Sequence, residues 1–369
     1  MPTKESTAET EAAEASAKTA KTSTSVNFST FVGKVFDQLS VSAWLPAAML
    51  IGNLALLLQM NRNENLSIDR AVQDLSAKPL GTVIILVFSL ILAALTTQAF
   101  EFEMIRLLEG YIDFTGFPVD KFVSARIRRH VAKRRRLEER HRKLEQSAFA
   151  LARMVMLANS YERKLVEILD DEIFGRPKAP DVDDDLEAQA EALVWHVHVP
   201  SDVMYQFERI DARLASYPAE NRVLPTRLGN ILRKAEDALP LDKDEDEDLE
   251  SFVIRNLDDL PESLQREHRD FRTRLDMYCS LVLVFAILAV ASAFALYGFT
   301  PLWGAPIFSM MYLLMMIVSY EAAIASARGY GTALQEIGRR VRERRALAEK
   351  PPAALPARFR ALFHRNTVP

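Results

Sequence analysis

His196 and His198 stand one residue apart in the run LVWHVHV. That run has β-prone composition, and on a strand both rings would leave the same face. Two imidazoles with a carboxylate such as Asp202 would be enough to hold zinc. No H-E-x-x-H accompanies them, Pro200 intervenes before Asp202, and the larger Asp run lies further off. Two ordinary half-exposed histidines are therefore the expectation, and no metal or other cofactor is assigned. No G-x-S-x-G, P-loop or G-x-G-x-x-G occurs in the chain. Gly329 and Gly331 flank Tyr330 in a helix-like run, which suits flexibility or close helix packing rather than phosphate binding. The one cysteine, Cys279, excludes an intramolecular disulfide and a multi-cysteine metal site.

Charge is the stronger signal. Between Lys121 and Lys143 there are 11 Lys/Arg against two Glu. Arg126, Arg128, Arg129, Lys133, Arg134, Arg135 and Arg136 form the centre of this stretch, and Phe122, Val123, Ile127, Val131 and Leu137 alternate with them. The stretch begins about 20 residues past an apolar run. Each Lys or Arg close to an anionic leaflet gains roughly 1 kcal/mol, so these residues are expected at the membrane surface. Nucleic acid is not an expected partner, because no aromatic interleaving or recognition motif accompanies the charge. Further on, in VLPTRLGNILRKAEDAL, Pro225 and Thr226 would open a helix with Leu228, Ile231, Leu232 and Ala235 on its apolar face.

Four uncharged apolar runs must position all of this. They cover about 41–60, 79–100, 277–299 and 301–320, and each is long enough to cross ~30 Å of hydrocarbon as a helix. The overall charge of −4 says little, because apolar runs and charged segments are segregated along the 369 residues. The connection 61–78 is balanced at three basic and three acidic residues, and the connection around Gly298 to Pro306 has no charge. Lys and Arg concentrate instead after the second run and after the fourth. Both termini and the central segment are therefore expected on the cytoplasmic side. Asn53 is the only strongly polar side chain near the middle of an apolar run, and it is expected to bond between helices. Met310, Met311, Met315 and Met316 suit packing.

The organisation that follows has six parts. Residues 1–25 lack apolar side chains to bury and read as a disordered tail. Residues 26–40 read as an amphipathic helix on the membrane surface. A first transmembrane hairpin covers 41–100, a largely helical cytoplasmic domain 101–276, and a second hairpin 277–320. A basic cytoplasmic helix and tail covers 321–369. Within the central domain, the apolar residues from Ala148 are too few to span and suit a buried helix. The run Asp242 to Glu250, with seven acids in nine positions, suits a solvated loop.

The segment PTRLGN followed by Arg233 and Glu236, ahead of a charged helix and a Leu/Ala-rich hairpin, resembles a group of uncharacterised bacterial multi-spanning membrane proteins. The likeness covers about residues 190–300. In that group a Tyr-Gly-containing stretch often follows; here the acidic run takes its place. The resemblance implies no known activity, but it implies that Arg227, Asn230, Arg233 and Glu236 belong to one cytoplasmic feature.

The expectation is a mainly α protein of the bacterial inner membrane, with four transmembrane helices in two hairpins and a cytoplasmic helical domain between spans two and three. It would act without catalysis, as a scaffold or sensor. Its partners would be the anionic cytoplasmic leaflet and either further copies of itself or a membrane or cytoplasmic protein. A second reading is an oligomeric channel or permeabilising effector gated by the cytoplasmic domain, with Asn53, Gln59, Ser89 and Thr96 as its polar seam. A third is a metal-dependent enzyme using the cytoplasmic domain around His196 and His198.

Overall fold

The computed structural model describes residues 41–62, 67–111, 117–177, 183–240, 249–297 and 304–349. Residues 1–25, residues 26–40 where a surface helix is expected, most of the acidic run, residues 298–303 and residues 350–369 lie outside the described residues. Among the described residues the chain is helical and contains no strand. The helices are α1 (Val41–Arg62), α2 (Ile68–Ser76), α3 (Leu80–Glu109), α4 (Phe117–Ala158), α5 (Arg163–Phe174) and α6 (Asp184–Glu191). They continue with α7 (Ser201–Leu214), α8 (Arg227–Asp237), α9 (Leu249–Asn256), α10 (Glu262–Ala295) and α11 (Gly304–Glu349). Four of them, α1, α3, α10 and α11, are long and apolar enough to cross a membrane. The chain divides into two compact units: 1–107 with 266–327, and 108–265 with 328–369.

The first unit contains the apolar helices. Its core gathers Leu57 and Met60 of α1, Ala71 of α2, Phe285 and Leu288 of α10, and Tyr312 of α11. The polar connection after α1 is more ordered than its composition suggests: it carries α2, whose N-cap Ser67 accepts a hydrogen bond from the Arg70 amide at 3.4 Å. Half of the most apolar window of α10 is buried inside the protein, against 11% for α3. Consequently α3 turns Ile85, Phe88, Leu92 and Leu95 outward, a distribution that costs free energy in water and none in hydrocarbon. Several polar atoms in this unit find partners inside it. Ser292 Oγ lies 3.0 Å from Ser309 Oγ, joining α10 to α11, and Ser42 Oγ donates to Glu101 at 2.9 Å, joining α1 to α3.

The second unit is built on α4, which runs unbroken for 42 residues. The basic stretch and the apolar stretch after it are thus one helix. Ala148, Phe149, Ala152 and Met156 bury its C-terminal end against Val166 and Leu169 of α5 and against Trp195. Phe149 and Trp195 meet edge to face, with ring centroids 5.4 Å apart. Ser160, in the left-handed region at φ 62°, ends the helix, and the Tyr161 amide returns to the Met156 carbonyl at 3.2 Å. Gly175 (φ 65°) closes α5 in the same way, with the Arg176 amide bonded to Asp171 O at 2.8 Å. Further along α4, Leu137 packs with Ile210 and Tyr217 to seat α7.

One expectation is corrected here. LVWHVHV forms no strand; Trp195–His198 is a 3-10 helical turn that follows α6. An isolated extended segment would leave its backbone groups unpaired, and no described strand lies beside it. Burial of Trp195 against Phe149 sets the local geometry instead, while Val194 and Val197 remain exposed. Tertiary packing has overridden β-propensity.

Candidate functional site

The PTRLGN segment lies at the start of α8, within the second unit, and most of it serves to hold that helix in place. Thr226 is the N-cap: its Oγ1 accepts from the Gly229 amide at 3.0 Å and donates to Glu109 O, at the end of α3, at 2.9 Å. Asn230 is buried. Its Oδ1 accepts the Leu224 amide at 2.8 Å, and its Nδ2 donates to Leu224 O at 2.9 Å and Thr226 O at 2.6 Å. Gly229 has no room for a side chain, since a Cβ there would come within 2.4 Å of Glu109 O. Gly110 ends α3 at φ 102°, and a Cβ on it would collide with the Pro225 ring. Pro225, Thr226, Gly229 and Asn230 therefore form a clasp around the last carbonyl of α3. Arg233 and Glu236 pair on one face of α8 at 2.8 Å, and Asp237 pairs with Arg222. Of the motif residues, Arg227 is the one that stays exposed.

Arg227 and Asn230 line a cavity of about 640 Å³. Opposite them α4 contributes Lys133, Arg136 and Arg140, which the 3.6-residue repeat places on the same face as the buried Leu137. Arg213 near the end of α7 and Arg328 of α11 complete the set, so six cations surround the space. No carboxylate lines it among the described residues. Its neutral polar groups are Ser216, Tyr217 and Asn230. Two like unit charges near a protein surface repel by about 4 kcal/mol at 4 Å, and by less in proportion to distance. Gathering six of them around one space is therefore unfavourable unless an anion offsets them.

The same field acts on His130, one turn N-terminal to this stripe. Burial first, and then Arg126, Lys133, Arg227 and Arg129, push its pKa below the ordinary histidine value of 6.5. Its Nδ1 lies 3.1 Å from the Tyr217 hydroxyl. Burial raises the pKa of Tyr217, so the phenol stays protonated beside a neutral ring.

The seven basic residues predicted for the membrane surface thus divide between several environments. Lys133 and Arg136 line the cavity. Arg134 bonds Glu138 at 2.8 Å, and Arg135 Nε donates to Glu220 at 3.0 Å. The Arg135 hydrogen bond is the largest influence holding the Glu220 carboxyl below the usual range. Arg128 and Arg129 are exposed, and Arg126 is half-buried. Asn53, in the other unit, donates from Nδ2 to Met49 O at 2.7 Å and accepts from the Tyr312 hydroxyl at 2.9 Å.

His196 and His198 have separate surroundings. His196 stacks on Trp195 with centroids 3.8 Å apart, and His198 Nε2 lies 3.1 Å from the Tyr161 hydroxyl. Among the described residues no three His, Cys, Asp or Glu side chains converge as a metal site would require. Cavity cations absent from the sequence-derived set are Arg140, Arg213 and Arg328. The first shares a helical face with Lys133 and Arg136, a signal present in the spacing, whereas the other two join only through tertiary packing. No protein-family model, curated protein or solved structure matches the chain.

Proposed function

We propose that this protein is a non-enzymatic scaffold or sensor of the bacterial inner membrane. In this reading α1, α3, α10 and α11 span the bilayer, and the second unit is a cytoplasmic interaction domain beside the anionic leaflet. Both termini share its side. The observation that carries the proposal is the Asn53–Tyr312 hydrogen bond between α1 and α11. The strongest polar side chain in the apolar runs is used to join helices, which supports a packed bundle over a water-lined path. Thr96 is engaged likewise, since its Oγ1 bonds Leu92 O at 2.8 Å in its own helix.

The test is ion flux through liposomes carrying the purified full chain. Unmodified protein and Asn53→Leu should both leave the vesicles tight. The substitution should also destabilise the protein by about 1 kcal/mol in detergent unfolding, the scale of one interhelical hydrogen bond. Flux that Asn53→Leu alters would replace the scaffold reading with a channel.

A further inference from the structure

We infer that the cavity ringed by Lys133, Arg136, Arg140, Arg213, Arg227 and Arg328 binds a phosphate-bearing polyanion. It rests on the sensor half of the proposed function, for which it supplies the chemical class of the signal.

Three observations carry it. The first is how the charge is assembled. The cations come from α4, α7, α8 and α11, so the cluster is a product of the tertiary fold and not of one basic stretch. A surface helix that only lies on lipid needs its charges along one outward face, as Arg128 and Arg129 already provide.

The second is that five of these cations have no carboxylate partner among the described residues. Glu138 is bonded to Arg134, Glu220 to Arg134 and Arg135, and both Glu145 and Asp211 face His141. Among the described residues Lys133, Arg136, Arg140, Arg213 and Arg328 form no ion pair. Acids within reach in sequence, such as Glu139 beside Arg140, would ordinarily neutralise such a group; these five cations stay unpaired among the described residues.

The third is chemistry and size. Five of the six cations are arginines, whose planar forks match phosphate oxygens with two parallel hydrogen bonds. A volume of about 640 Å³ falls in the range of small-molecule sites and exceeds what one inorganic phosphate fills. The neutral groups at the wall are occupied: Asn230 by backbone, Ser216 by the Arg213 carbonyl at 2.7 Å, and Tyr217 by His130. Recognition therefore falls to the cations, which favours a multiply charged ligand over an uncharged or singly charged one.

A soluble phosphate compound and a phospholipid headgroup share this chemistry, and the experiment separates them. Full-length protein is reconstituted in phosphatidylcholine nanodiscs and titrated calorimetrically with inorganic pyrophosphate. In parallel, protein from nanodiscs containing cardiolipin, whose headgroup carries two phosphates, is moved to detergent, and the cardiolipin it retains is counted by native mass spectrometry. Both assays are run on Arg136→Gln/Arg140→Gln, on Arg213→Gln/Arg328→Gln, and on Arg128→Gln/Arg129→Gln as a control of equal charge change outside the cavity. Pyrophosphate affinity falling about a hundredfold in both cavity variants, and little in the control, is the expected result for a soluble ligand. Retained cardiolipin lost from the cavity variants alone identifies the headgroup instead.

Thermal unfolding without ligand accompanies each variant, and the cavity variants should be as stable as the parent or more so, because like charges have been removed. The cavity inference is overturned if neither probe binds, or if control and cavity variants weaken alike. It is equally overturned if both cavity variants unfold, since the charges would then be structural. Tight liposomes with no binding would remove the ligand and leave the scaffold; flux would remove the scaffold whatever the calorimetry reads.

Discussion

His130 is placed where its protonation must oppose folding. Burial and the surrounding Arg126, Lys133, Arg227 and Arg129 all disfavour the imidazolium, so the folded pKa lies below the unfolded value of 6.5. Above that value both states hold the ring neutral and its full stabilisation is present. As pH falls from 6.5 toward the lowered folded value, the unfolded chain takes up a proton that the folded chain does not, and stability is lost. Unfolding midpoints measured from pH 8 to pH 5 should therefore fall more steeply for the parent than for His130→Gln, whose amide can still meet Tyr217. Parallel profiles would show that the ring is charged or solvated in the native state. Binding of a polyanion beside it should reduce the difference, because neutralised arginines repel an imidazolium less. Of the residues that set this environment, Arg227 and Asn230 were legible as parts of one segment. What the spacing could not reveal is that they differ in kind: Asn230 turns inward to three backbone atoms, while Arg227 faces the cavity.

At the scale of elements, α8 and α11 approach each other through small residues. A Cβ built on Gly331 would lie 3.1 Å from the Ala235 Cβ, and one on Gly338 would lie 3.1 Å from Leu239 Cδ2. Arg342 reinforces the seam by donating to Ala238 O at 2.9 Å. Gly331→Leu should thus destabilise the protein by about 1–3 kcal/mol, since a packed seam accommodates added carbons only by moving. Ala235→Gly in the same chain should recover part of that loss, although it weakens helix propensity by itself. Denaturant unfolding of the single and double variants measures the coupling, and a neutral Gly331→Leu would mean the helices are not in contact. The helices themselves were legible because their causes are local. Uncharged runs of about 20 residues and Thr226 at an N-cap act through nearest neighbours. Trp195–His198 was not legible, because burial of Trp195 beside Phe149 comes from a segment 46 positions away. Arg213 and Arg328 escaped notice as cavity residues for the same reason: only the tertiary fold brings them to Lys133.

At the scale of the molecule, four apolar helices and an uneven distribution of Lys and Arg yield a testable prediction about sidedness. If all four cross, α2 lies on one side of the bilayer, and α4 and the end of α11 lie together on the other. The positive-inside bias predicts that the second side is the cytoplasm. The single thiol, Cys279, is fully buried and should react slowly, so the native chain offers a quiet background for introduced cysteines. Gln73→Cys on α2 and Ser124→Cys on α4 both fall at exposed positions. In intact spheroplasts a membrane-impermeant maleimide should label Gln73→Cys and spare Ser124→Cys, and permeabilisation should expose the second. The opposite pattern would keep the four spans and reverse the assignment. Labelling of both before permeabilisation would mean that the first hairpin does not cross. Since the basic cavity belongs to the unit that contains Ser124, the same labelling decides which compartment must supply its anion. A cytoplasmic result leaves soluble phosphates and the inner leaflet as sources. An external one would restrict the ligand to what the outer face of that membrane presents.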